Sequence, residues 1–191
     1  VASKISICNR ALIYIGGNSI SSIDEGSREA NLCKAVFDDV RDEVLQMHPW
    51  DEARARQELA QLSDAPAFGY SYKYNLPTDP YCLKVLTLNE DTYGQSAAFT
   101  VEGRELLTDE DTAQITYTSR LTDPRKFSPL LATTIAAALG AAIALKLSTS
   151  TSLAETAFKF YIAKLAEARG ENAQQGTARV VTQSSFLTVR S

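Results

Sequence analysis

The side chains of this 191-residue chain that could carry covalent or acid–base chemistry are few: one histidine, three cysteines and an acidic triplet. A general base would have to be His48, which directly precedes Pro49 at the end of a helical pattern. An imidazole there is placed to interact favourably with the helix dipole, so it reads as structural. A thiol nucleophile needs a base beside it, and Cys8, Cys33 and Cys82 are widely spaced with no histidine partner in sequence. A structural zinc site needs about four close ligands, and there is no C-x-x-C or Cys/His spacing to supply them. Cys8 and Cys33 fall on apolar helix faces and read as small buried hydrophobes in a reducing compartment. Asp109-Glu110-Asp111 reads as a solvated hairpin turn. Gly16-Gly17 follows a helix, where a phosphate-cradling loop would follow a strand, and so reads as a helix C-cap. No nucleophile, metal or cofactor constellation emerges, and the chain reads as non-enzymatic.

The elements that must hold these residues are legible from periodicity. A first helix runs from about Ser3 to Ile15, with Ile5, Cys8, Leu12 and Ile15 on one stripe. Ser27 caps a second, whose apolar residues Ala30, Cys33, Phe37, Val40, Val44 and Met47 share a face opposite Lys34, Asp38, Asp39, Arg41, Asp42 and Glu43. His48-Pro49-Trp50 halts it, because proline disfavours the helical conformation in the residue before it; the sole tryptophan pins the corner. A charged run, DEARARQELAQL, follows. Strands are expected at Tyr70–Tyr74, Cys82–Leu88, Ala97–Val101 and Ala113–Ser119, with a tight reversal at Glu102-Gly103-Arg104. Connections this short favour antiparallel hairpins. Ser128-Pro129 opens a third helix to about Leu147, and Ser152-Leu153-Ala154-Glu155 fits a capping box for a fourth, with Glu155 and Lys159 as an i,i+4 pair.

The expected class is α+β, mainly α: a four-helix bundle with an antiparallel β insertion between helices 2 and 3 and an extended C-terminal arm. Residues 1–66 hold helices 1 and 2 with the following segment of the bundle, 67–122 the insertion, 123–169 helices 3 and 4, and 170–191 the arm. The apolar N-terminal stretch is interrupted by Lys4 and Arg10 and reads as a helix in place of a signal sequence. Phe127–Leu145 carries no charge but is dominated by alanine, which suits the central helix of a soluble bundle better than a membrane span.

With 45% hydrophobic and 22% charged residues a real core is expected, and a net charge of −4 argues against a general nucleic-acid binder. The alternation of Tyr70, Tyr72 and Tyr74 reads either as an interaction surface or as packing of a small sheet. From Glu171 the chain could reach roughly 70 Å at about 3.3 Å per residue. Val180-Val181 and Phe186-Leu187-Thr188-Val189 suit strand addition to a partner, while a terminus folded back on its own bundle is the plainer alternative.

In order and spacing these pieces resemble the tail tubular protein A-like head-to-tail adaptors (connectors) of tailed bacteriophages and related particles. The residues carrying the resemblance are Ala11-Leu12-x-x-Ile15-Gly16, Ala30-x-x-Cys33, and Arg41-x-x-Val44-Leu45 leading into Pro49-Trp50 with Ala53 and Leu59 beyond. They continue through Leu76-Pro77-x-Asp79-x-x-x-Leu83-Lys84-Val85, Val101-Glu102-Gly103-Arg104-x-Leu106-Leu107 and Ile115-x-Tyr117. Phe127-Ser128-Pro129 and the terminal Phe186-Leu187-x-Val189-Arg190 complete them. Glu52 and Phe186 stand where that family often has an aromatic residue and a tryptophan.

The resemblance implies a structural virion protein at the head–tail interface, assembled in the host cytoplasm. Its copies would form a ring beneath the portal protein, matching the portal's twelvefold symmetry, and receive a downstream tail or stopper protein. DNA would pass through the channel without specific binding, and no membrane is involved. Val180, Val181, Phe186, Leu187, Val189 and Arg190 would form the portal-binding arm, with Tyr70, Tyr72, Tyr74, Glu102 and Arg104 as ring or tail contacts and His48, Pro49 and Trp50 as a structural corner. From another class, the chain reads as a soluble non-enzymatic α+β binding or regulatory module with a disordered tail.

Overall fold

The computed structural model describes residues 2–90, 94–148 and 150–175, with side chains to residue 170. Among these the protein is α+β: four α-helices and two small antiparallel sheets of three strands each.

Helix α1 (Lys4–Tyr14) starts at a reciprocal capping box, in which the Ser6 amide donates to Ser3 Oγ at 3.0 Å and the Ser3 amide to Ser6 Oγ at 2.8 Å. It stops where Gly16 takes a φ of +71°, a conformation that a side chain would strain. The Gly17 amide then donates to the Leu12 carbonyl at 2.9 Å and the Gly16 amide to the Ile13 carbonyl at 3.3 Å, satisfying the last turn. Helix α2 (Arg28–Met47) is capped by Ser27 and ends at His48, whose ψ of 140° has left the helical region before Pro49. Trp50 turns back under it, 3% exposed, and its indole N–H donates to the Val44 carbonyl at 3.0 Å.

Helix α3 (Pro129–Leu147) begins with Ser128 as cap and Pro129 at the first position. Helix α4 (Thr151–Gln175) begins earlier than the expected box: Ser150, not Ser152, accepts from the Leu153 amide at 3.3 Å. Glu155 and Lys159 stay exposed, and the ion pair on this helix joins Lys164 to Glu167 at 2.7 Å. The helix also passes through Gly170, where the arm was expected to start. One glycine costs only about 1 kcal/mol against alanine, and alanine, glutamate and glutamine on either side favour continuation.

Helix α3 packs against α1, α2 and α4. Its middle is enclosed on every side: Leu131, Ala132 and every residue from Thr134 to Gly140 are buried. Thr134 is tolerated there because its hydroxyl donates to the Leu130 carbonyl at 2.9 Å. Gly140 faces α1 so closely that a Cβ there would stand 3.2 Å from the Ala11 carbonyl oxygen. The charge-free span is therefore the axis of the helical core. It is the one helix among the described residues long and apolar enough to cross a membrane, and 61% of its apolar window is buried within the protein.

Two expectations for α2 are corrected. Arg41, placed on the polar face, is only 6% exposed and pairs with Asp38 and Asp42, each at 2.8 Å. Met47, placed on the apolar face, is 48% exposed, because the helix ends there and the chain turns away toward Trp50.

The first sheet has the order β1 (Arg54–Glu58), β6 (Gln114–Ser119), β3 (Cys82–Leu88). Strand β1 corrects the assignment of this charged run to the helical part. It is an edge strand in register from Arg54↔Thr118 to Glu58↔Gln114, and its charges are tolerated because that edge faces solvent. The second sheet has the order β2 (Tyr72–Asn75), β5 (Glu105–Thr108), β4 (Thr100–Glu102). Its β4–β5 hairpin turns at Gly103, with a φ of +59°. The strand expected at Ala97 begins only at Thr100, since the Ala97 amide is already engaged by the Leu88 carbonyl at 2.9 Å. A second core lies between the sheets, built on Tyr74, Leu88, Leu106, Ile115 and Tyr117.

Gly140→Val is expected to destabilise the fold by about 1–3 kcal/mol, the usual cost of overpacking, read as a lower urea midpoint with an unchanged slope. An unchanged midpoint would show that α1 and α3 are not held this close.

Candidate functional site

The side chains with the greatest chemical potential are each occupied structurally. His48 is 6% exposed, stacks edge-on against Trp50 with ring centroids 4.9 Å apart, and its Nε2 has no hydrogen-bond partner among the described residues. Burial, with Arg169 adding to it, lowers its pKa against the opposing pull of Asp51 and Glu52. The imidazole is therefore neutral near pH 7, with burial as the leading cause.

Cys8 and Cys33, distant in sequence, meet across the α1–α2 interface. Both are fully buried, and the neighbouring Cys33 thiol together with burial pushes the Cys8 thiol up. Burial pushes Cys82 up to about 11. The hydrogen bond from Cys8 lowers the Cys33 thiol against the opposing effects of burial and Glu29, and at 0% exposed neither member of the pair is accessible to a substrate. In the acidic triplet, Asp109 accepts from the amide and hydroxyl of Ser71, each at 2.9 Å, and the Glu110 carbonyl accepts from Tyr74 Oη at 2.8 Å. The triplet thus latches β2 to the end of β5. Among the described residues no group of three or more His, Cys, Asp or Glu side chains could hold a metal ion.

The tyrosine alternation divides by depth. Tyr74 is buried in the second core, Tyr72 is half-buried, and Tyr70 stands outside the strand with its hydroxyl 2.9 Å from Thr100 Oγ1. Glu102 is exposed at the β4–β5 hairpin. Arg104, beside it, turns inward: its guanidinium donates to the carbonyls of Cys82 at 2.7 Å, Leu76 at 3.3 Å and Pro77 at 2.5 Å, and lies 4.1 Å from the Tyr81 ring centroid. Arg120 lies 4.2 Å from the same centroid, and its Nε is 2.7 Å from Asp42 on α2. The chain Arg104–Tyr81–Arg120–Asp42–Arg41 therefore ties both sheets to the helices. Sequence reasoning missed Tyr81, Arg120 and Asp42 because their pairings with Arg104 and with one another span from 23 to 78 positions and leave no periodic trace. Only the i,i+3 spacing of Asp38 and Arg41 was there to be read.

Apolar side chains also remain on the surface. Phe158 and Ile162 on α4 are 56% and 46% exposed, beside a cleft lined by Val40 and Glu43 of α2 and Ala138, Ala141 and Ala142 of α3. Phe68, in the loop before β2, is 88% exposed. The arm residues Val180, Val181, Phe186, Leu187, Val189 and Arg190 lie outside the described residues. No protein-family model matches this chain, and no curated protein matches it.

Two outcomes are expected. Because native His48 holds its proton less tightly than the ordinary value of 6.5, its contribution is intact above that pH and is lost as pH falls below it. The stability of wild type relative to His48→Gln should accordingly decline between pH 7 and pH 5 in urea titrations; a flat difference would contradict the burial argument. A double-mutant cycle on Asp42→Asn and Arg120→Gln should return a coupling of about 0.5–1 kcal/mol, and none if the junction is only apparent.

Proposed function

We propose that the protein is a structural head-to-tail adaptor: copies form a ring beneath the portal vertex, extend the DNA channel and receive the tail. The observation that carries this reading is the order and spacing of the adaptor-like residues along nearly the whole chain. In the fold several of those residues occupy positions where the chain changes direction. Ile15-Gly16 ends α1, Pro49-Trp50 turns the chain out of α2, Gly103-Arg104 closes the β4–β5 hairpin, and Ser128-Pro129 opens α3.

On this reading the helices make a four-helix bundle, with the β region inserted between α2 and α3 and projecting toward neighbouring copies or the tail. The C-terminal residues, with Phe186, Leu187 and Val189, reach the portal. Burying Phe186 and Leu187 would contribute roughly 1.5–3 kcal/mol each. One arm would spend most of that on ordering, but the gain accumulates when repeated around a ring. The net charge of −4 suits a channel that must let phosphates slide past without holding them. The role is architectural, with no catalytic step, cofactor or membrane, and its site is the virion after assembly in the host cytoplasm.

Mixing the chain with its cognate portal should give a ring on the portal's tail-facing end, seen as a mass increase by light scattering and as symmetric density by particle imaging. Deleting residues 176–191 should leave the circular dichroism spectrum intact and abolish docking. Unimpaired docking by the truncated chain removes the arm from the reading. A well-folded full chain that ignores the portal at high concentration overturns the adaptor reading in favour of a binding module.

A further inference from the structure

The cleft between α2, α3 and α4 is lined mainly by apolar side chains. Phe158 stands at its edge, the exposed Ile162 follows one helical turn further along α4, and Ala142 forms part of its wall. Glu43 is exposed at its rim and makes no ion pair with the described residues. Tyr161, also lining it, is 6% exposed and has a hydroxyl without a partner among the described residues. An extended peptide laid there would cover the apolar edge and set a cation against Glu43.

The chain carries a segment of matching chemistry at matching reach. Residues 176–191 contain Phe186, Leu187 and Val189, two arginines and no carboxylate side chain. From Gln175 back to Phe158 is about 26 Å along α4 at ~1.5 Å per residue, a distance that about eight extended residues cover. Phe186 comes eleven residues after Gln175, which leaves about three for the reversal, whereas Val180 falls short.

We infer that in the unassembled chain this cleft receives the chain's own C-terminal segment, with Phe186 and Leu187 against Phe158 and Ile162 and Arg190 beside Glu43. The docked segment shields its apolar residues until a partner displaces it. Only that last step, release on the portal, rests on the adaptor reading.

The test uses the full chain in dilute solution without portal, with Phe186 replaced by the photo-cross-linker p-benzoylphenylalanine. Cross-links are expected within one chain, mapped to 138–145 of α3 and 158–162 of α4, with a yield independent of protein concentration. Phe158→Asp, an exposed position whose folding is checked by circular dichroism, should lower that yield about tenfold, the factor for losing roughly one buried phenyl contact. Cross-links between chains that grow with concentration, cross-links elsewhere in the chain, no cross-links, or no response to Phe158→Asp would each overturn the inference. Because no portal is present, such a failure leaves the adaptor reading standing, and a failed portal assay leaves the cleft result standing.

Discussion

Everything in the helical part depends on how closely other backbones can approach α3. Its middle is built from alanine, leucine, isoleucine, one buried threonine and one glycine, and the approach to α1 is set where Gly140 meets the Ala11 carbonyl. Small residues bring the helix axes together, and the larger side chains of α1, α2 and α4 then fill the space at interior density. The cost is that α3 has almost no amphipathic character. Its position is fixed from outside, by three helices that each bring an apolar stripe to it.

The β region is organised on the opposite principle. Its strands are short and its core is small. Its closure relies on polar side chains reaching backbone groups: Tyr74 to Glu110, Asp109 to Ser71, and Arg104 to the carbonyls of the β2–β3 connection. Arg104 is the telling case. A hairpin arginine is ordinarily solvated, yet here its planar fork is spent on holding a turn inside the protein.

Local chemistry was the legible part of this fold. Ser27 and Ser128 cap helices, Gly16 ends one, Pro49 stops one and Gly103 turns a hairpin, because each acts within a few residues of itself. The reading failed where a distant partner decides. Arg54–Glu58 has the composition of a solvated segment and becomes a strand only because β6 offers it a register. Arg41 lies on a face that looks polar, and is buried where it pairs with Asp38 and with an Asp42 that also holds the distant Arg120. Of the candidate surfaces, the tyrosine alternation was visible but its depth was not, and the α2–α3–α4 cleft combines three segments that no window of sequence contains.

The Arg104–Tyr81–Arg120–Asp42 chain also has a mechanical meaning. The helical and β parts each own an apolar core, whereas much of what joins them is charged, partly exposed and screened by ions. Salt therefore weakens this part of the joint while leaving the two apolar cores as they are, so the coupling between the helical and β parts depends on ionic strength in a way that each core does not.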